Sequence, residues 1–304
     1  MKVPISILLA LAIFALFSTT AFSESVKSRT TSIVKQTKIE GASHKKRYGF
    51  QIVKGFSRRG AKSQRFEIRH GDCGKSSGWN DCTADRQRIE RKERPKNKFS
   101  KPGKGIWYGY SVYFPSDFQS LGKTSIVLSQ AKVEKELMPL WLLSFNDHPY
   151  LLYSDGTHCS LGSIRSWIGR WNDVTVYAHY GEQGQKIYFQ LFKDGKLFCQ
   201  RKKPIMAKSR IGKDQKIGFK YGIYHSFVSR YLAKHATKPV NLAAYTQKQS
   251  SGTTSKSPTN EPFKIDWGVK LPTAVIFYDE MRAGYRREDV DVRMLEQRGV
   301  VPVD

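Results

Sequence analysis

The amino-acid sequence predicts an all-β domain, a two-sheet β-jelly-roll sandwich whose concave sheet forms a groove for a chain-like ligand. Three observations carry that expectation. Short runs of alternating apolar and polar residues recur with turn residues between them, and few stretches have a helical period. The 304 residues also suffice for one large domain once a leader is set aside.

Met1-Lys2, an apolar run from Ile5 to Phe17 and small residues ending at Ala21-Phe22-Ser23 form the three-part pattern of a secretory signal peptide, residues 1–23. The run falls short of the ~20 apolar residues a membrane span needs, and no second run of that kind follows. An exported protein, secreted or periplasmic and without a membrane span, is therefore expected. Residues 24–47 are rich in Ser, Thr and Lys and read as a flexible basic arm, leaving 48–304 for the domain.

Within the domain, period-two alternation marks strands at 65–69, 106–114, 124–132, 140–145, 173–179, 186–192, 217–224 and 274–282. Asp194-Gly195, between KIYFQLFK and KLFCQ, signals a tight antiparallel hairpin. From about 232 to 262 the chain is Ala, Lys, Thr, Ser, Gln and Pro with few large apolar residues. That composition excludes a core strand and reads as a polar insertion, either a surface loop or a flap over the groove. A helical turn fits REDVDVRMLEQ at 287–297.

An even count of four cysteines in an exported chain points to disulfides, for which three pairings exist. Cys73 with Cys82 is favoured, because the two flank a Gly/Ser/Asn/Asp loop, which leaves Cys159 with Cys199. None belongs to a C-x-x-C knuckle, so no metal is assigned to them. Asp81, Asp85 and Asp155 in turns are the candidates for calcium, but isolated aspartates there usually cap or solvate, and no cofactor is required.

Lysine and arginine total 52 against 26 acidic residues, a formal charge of +26. Such an excess selects a polyanionic partner. Export favours an acidic polysaccharide, and no recognition helix or aromatic RNA-binding signature supports a specific nucleic acid. The chain is expected to act as a monomer. The runs Lys45-Lys46-Arg47 and Arg201-Lys202-Lys203 read as solvated faces.

The segment GFKYGIYHS, 218–226, holds the sharpest chemical signal. Strand alternation puts Lys220 and Tyr224 on one face. A phenol normally titrates near ~10, and a neighbouring ammonium favours its ionised form, a base able to remove a carbon-bound proton. The competing explanation is plain sheet packing by alternating aromatics.

Eight pieces then carry a resemblance: RFEIRHGD, DRQRIER, GIWYGYSVYFP, VLSQAK, WNDVTVY, KDGKL, FKYGIY and FYDEMRAG. In this order, over about 50–284, they resemble the heparin-lyase-type and glucuronan-lyase-type polysaccharide lyases. FKYGIY is also similar to the F-K-A-G-x-Y strand of jelly-roll alginate lyases. The resemblance implies a concanavalin-like jelly roll that cleaves uronic-acid polysaccharides by β-elimination. Gln130 then neutralises the uronate carboxylate, helped by Arg88 or Arg69. Tyr224 serves as base, acid or both, with Lys220 its matching neighbour, while Glu67 and Glu90 orient arginines.

Two positions depart from the pattern. The histidine two residues after the glutamine is Lys132 here, expected to bind a carboxylate or sulfate, and the glutamine after the tyrosine is Ser226. His148, His158, His179 and His225 are the possible replacements, although His225 falls on the face opposite Tyr224. The alternatives to a lyase are a non-catalytic binding module for acidic glycans and, third, a jelly-roll glycoside hydrolase. The hydrolase would need paired carboxylates ~5 to 9 Å apart, which the groove strands do not offer.

Overall fold

The computed structural model describes residues 31–32, 37–94, 100–134, 136, 138–181, 184–206, 216–241 and 261–303; the expected signal peptide lies outside them. Two antiparallel sheets are stacked face to face. Strands are numbered along the chain. The first sheet runs in the order β15 (Lys196–Arg201), β14 (Phe189–Lys193), β13 (Trp171–His179), β8 (Gly105–Tyr113), β17 (Ala274–Gly284), β4 (Lys62–Ile68) and β3 (Phe50–Lys54), with β1 (Thr31–Ser32) also on β17. The second runs β12 (His158–Ser160), β11 (Tyr150–Tyr153), β10 (Trp141–Phe145), β9 (Ser125–Val133), β16 (Ile217–Ser226), β7 (Arg86–Glu93) and β2 (Thr37–Ile39). A small hairpin, β5 (Lys75–Ser76) and β6 (Trp79–Asn80), precedes β7.

Alternation produces the core. On β16, Phe219, Tyr221 and Ile223 are fully buried and face the other sheet, where Phe219 stacks on Tyr108 at 4.1 Å and Tyr221 meets Phe66 and Tyr278. The core is rich in tyrosine, so each hydroxyl needs a partner. Tyr110 bonds Ser129 at 2.8 Å, Tyr221 donates to Gln64 at 2.8 Å and Tyr180 accepts from the Trp141 indole at 3.0 Å. Both favoured disulfides are formed, Cys73–Cys82 across the β5–β6 loop and Cys159–Cys199 between β12 and β15. Asp194-Gly195 makes the expected two-residue hairpin between β14 and β15, with both residues at positive φ.

The expectation of a flexible arm over 24–47 needs correction where residues are described. Residues 37–39 form β2 on the edge of β7, and Thr37, Ala42, Ser43 and His44 are buried. Backbone pairing and tertiary contacts, rather than an apolar pattern, hold this segment. The polar insertion at about 232–262 likewise begins within a helix, α1 (Ser229–His235), whose Leu232 enters the core. The middle of the insertion lies outside the described residues. The helical turn near the end is present as a 3-10 turn, Arg287–Asp289, followed by α2 (Val292–Gln297). Among the described residues, no helix is long and apolar enough to cross a membrane.

The C-terminal segment packs on the outer face of the first sheet, and Gly109 makes that approach possible. A Cβ at Gly109 would sit 1.8 Å from the Val290 carbonyl oxygen. Gly109→Ala should therefore lower stability by about 2 kcal/mol or more, read as a fall in the urea midpoint with little change in slope.

Candidate active site

The outer face of the second sheet gathers most of the candidate residues. Because the core takes the odd-numbered residues of β16 from Phe219 to Ile223, Lys220 and Tyr224 point the other way. Antiparallel pairing sets Tyr224 opposite Arg88, Gly222 opposite Glu90 and Lys220 opposite Lys92 on β7. On the other side Lys220 faces Gln130, and Lys132 lies opposite Gly218 of β16. The register of β16 against β9 then shifts between Tyr221 and Tyr224. Gly222 takes φ +137° there, and a Cβ would meet the Ile89 carbonyl oxygen at 2.4 Å, so the glycine of FKYGIY is a steric requirement. Tyr278, reaching across from β17, directs its hydroxyl at the Leu128 and Gly222 carbonyls, 2.9 and 2.8 Å away.

Arg88 is the centre of the cluster and only 7% exposed. It donates to Asp81 through Nε at 2.8 Å and Nη2 at 2.7 Å, and its Nη1 lies 3.7 Å from Glu90 and 3.8 Å from Glu40. Its guanidinium carbon sits 4.3 Å from the centroid of the Tyr224 ring. Burial opposes the Arg88 charge, but Tyr224, Asp81 and Glu90 hold it above the usual guanidinium range. Gln130 donates Nε2 to Glu90 Oε1 at 2.7 Å. The second Glu90 oxygen is buried and accepts no hydrogen bond among the described residues.

Lys220 is not the cation beside the phenol. Its ammonium pairs with Glu40 at 3.1 Å, and the charge against the Tyr224 ring is Arg88. Spacing along β16 reports which residues share a face but not which neighbour crosses over from β7. Lys132 is half-buried. Burial first, then Lys220 and Arg88, push its ammonium down to about 8. Arg69 lies outside the cluster, following β4 of the first sheet, where it pairs with Glu67 at 2.5 Å and covers the Tyr48 ring at 3.8 Å. The predicted orienting roles divide accordingly: Glu67 pairs with Arg65 and Arg69, and Glu90 stands beside Arg88.

None of the four candidate histidines joins the cluster. His225 is entombed on the core face against Gln87 at 3.2 Å, and burial lowers its pKa to about 3. His179 ends β13 of the other sheet, His158 lies on β12 four strands from β16, and His148 sits in the turn after β10. The three candidate aspartates are each committed: Asp81 to Arg88, Asp85 to the backbone and hydroxyl of Ser229, and Asp155 to Arg201. Among the described residues, no group of three or more His, Cys, Asp or Glu side chains is arranged to hold a metal.

Glu40 is the site residue that sequence reasoning missed, since it lies in the segment read as an arm. It accepts from the Ala42 amide at 2.9 Å and bridges Lys220 and Arg88. Burial would raise its pKa, but Lys220 and Arg88 prevail and hold it down to about 2 from the ordinary 4.5. A carboxyl depressed in the folded state contributes stability above its unfolded pKa and loses it as pH falls. The protein should therefore lose on the order of 2–3 kcal/mol between about pH 4.5 and 2 from this group, a decline absent from Glu40→Gln in acid unfolding curves.

Comparison with known proteins agrees with this architecture. A family model described as polysaccharide lyase matches residues 27–262. No curated protein matches the chain in sequence. The solved endo-β-1,4-glucuronan lyase from the fungus Trichoderma reesei is similar with a TM-score of 0.50 at 14% identity, covering 83% of this chain and 96% of that one. The alginate lyase AlgAT5, of polysaccharide lyase family 7, is similar with a TM-score of 0.49 at 11% identity, covering 83% and 95%. Alginate lyase A1-II′ gives 0.47 at 12% identity, covering 84% and 97%. At 14% identity the likeness to the glucuronan lyase is one of fold alone, and it is the family model, matching most of the chain, that assigns it: this protein belongs to the polysaccharide lyases, carbon–oxygen lyases that act on polysaccharides.

Proposed function

We propose that the protein is exported and cleaves a uronic-acid-containing anionic polysaccharide by β-elimination on the outer face of the second sheet. The observation that carries this reading is the Tyr224 ring set against Arg88 at 4.3 Å, on the same face as Gln130, Lys132 and Lys220. The two disulfides and the leader-like first 23 residues support export.

A uronate parts with its C5 proton only when its carboxylate is neutralised, so that charge developing in the transition state meets preformed donors. Gln130 has a second amide N–H beyond the one given to Glu90, and Lys132 supplies a cation without a hydrogen-bond partner among the described residues. Arg88 and Lys220 add positive potential, held in place by Asp81 and Glu40. Tyr224, as phenolate, takes the C5 proton; the C5–H electrons form the C4=C5 bond and the C4–O4 bond breaks. The phenol then returns the proton to the departing O4, one residue serving both steps.

Ultraviolet absorbance of the unsaturated product, followed across polyglucuronate, alginate, heparan sulfate and chondroitin, tests the reaction and names the polymer. Tyr224→Phe should cut kcat by roughly a thousandfold while retaining affinity for the polymer in gel retardation. Tight binding of every polymer with no absorbance change would instead support a glycan-binding role. Lys132 adds a pH signature, because its charge disappears as pH rises through about 8. KM should rise above that pH, and Lys132→Arg, whose guanidinium stays charged, should move the rise out of the accessible range.

A further inference from the structure

One row along the strands from Arg88 and Tyr224, two more cations are gathered on one ring. Arg86 pairs with Ser226 across β7 and β16, on the same face as Arg88 and Tyr224 and ~7 Å further along. Its guanidinium carbon lies 3.9 Å from the centroid of Phe227, and that of Arg230 lies 4.1 Å from the same ring. Like charges so close repel, and the usual remedy is a carboxylate. Here, among the described residues, Arg86 donates to the Asp85 backbone carbonyl at 3.0 Å and Arg230 to that of Lys123 at 3.5 Å, and neither meets an acidic side chain. The Asp85 carboxylate is turned away to Ser229.

The backbone beneath is fixed in an uncommon shape. Phe227 has φ +61° and Asp85 φ +58°, two non-glycine residues in the left-handed region, joined by the Phe227 amide donating to the Asp85 carbonyl at 3.0 Å. Thr124 Oγ1 and the Arg230 amide both donate to the Phe227 carbonyl, at 2.9 and 3.1 Å. Strain of this kind persists where the surroundings hold it and concentrates at ligand contacts. The result is a partly exposed ring that presents two guanidiniums at the edge of the reacting face, each a fork of donors able to pair with two oxygens of one oxyanion.

We propose that Arg86 and Arg230, carried on Phe227, form a second oxyanion subsite that binds a carboxylate or sulfate on a sugar unit next along the polymer from the one being cleaved. This rests on the lyase reading for its ligand but not for its measurement. The subsite makes the enzyme count acidic groups: a chain charged at successive units engages both rows, and one charged only at the scission point engages one.

Retardation in gels cast with polyglucuronate or heparan sulfate reads binding without turnover. The Arg86→Gln/Arg230→Gln double variant should bind about tenfold more weakly than the wild type, while Arg170→Gln, which removes one charge ahead of β13 in the other sheet, changes retardation less than twofold. Weakening on polyglucuronate assigns a carboxylate; weakening confined to heparan sulfate assigns a sulfate. Arg230→Gln alone, at an exposed position, should show part of the loss and covers the case in which the double variant does not fold. A double variant that behaves like Arg170→Gln, or a wild type that neither gel retards, overturns the subsite. A wild type that is retarded but yields no unsaturated product overturns the lyase reading and leaves the subsite standing.

Discussion

A guanidinium withdrawn from water must be surrounded by opposite charge, and Arg88 imposes that requirement on three separate parts of the chain. Glu90 comes from its own strand, Glu40 from the turn after β2, and Asp81 from the loop after β6. Desolvating such a cation costs several kcal/mol unless its hydrogen bonds are met, so none of the three segments is free to wander. Asp81 is itself steadied, accepting from the Trp79 indole at 2.6 Å and preceding Cys82 of the first disulfide. The crosslink around the small hairpin thus fixes the carboxylate that fixes Arg88, and Arg88 in turn fixes the face of Tyr224.

The strand carrying Tyr224 is bent by its own pairing irregularity, and the bend is shared between sheets. β9 slips against β10 next to Ser129, β16 slips against β9 after Tyr221, and the Tyr278 hydroxyl is aimed at a carbonyl from each irregular stretch. An unmet buried carbonyl is costly, so a phenol from the opposite layer stabilises the shape of the face that carries Tyr224. The first sheet is therefore more than a backing for the second.

Alternation made the sandwich legible, because eight runs had large apolar residues at every second position. It failed for β7. The inward residues of that strand are Gln87, Ile89, Arg91 and Glu93, and only Ile89 is apolar. Their polar ends are met by distant groups: Gln87 donates to the Arg69 carbonyl, Arg91 to Thr37, and Glu93 accepts from the Phe219 amide. No local pattern announces such contacts, and the strand with most of the site's charge was recognisable only through its DRQRIER motif. Glu40 escaped for the same reason, its role being set by Lys220 and Arg88, far away in sequence. Gln130, Lys132, Lys220 and Tyr224 were readable as residues of one face, since a period of two fixes sidedness. Which cation would stand against the phenol depended on the cross-strand register, which spacing within a strand does not contain.

The second disulfide has a consequence beyond holding a loop. β12 and β15 are the outermost strands on the same side of their respective sheets, and Cys159–Cys199 stitches them together. An open sheet edge invites a strand from another molecule, the first step toward aggregation. With both margins pulled toward each other, that flank offers an incoming chain a closed hem in place of two templates.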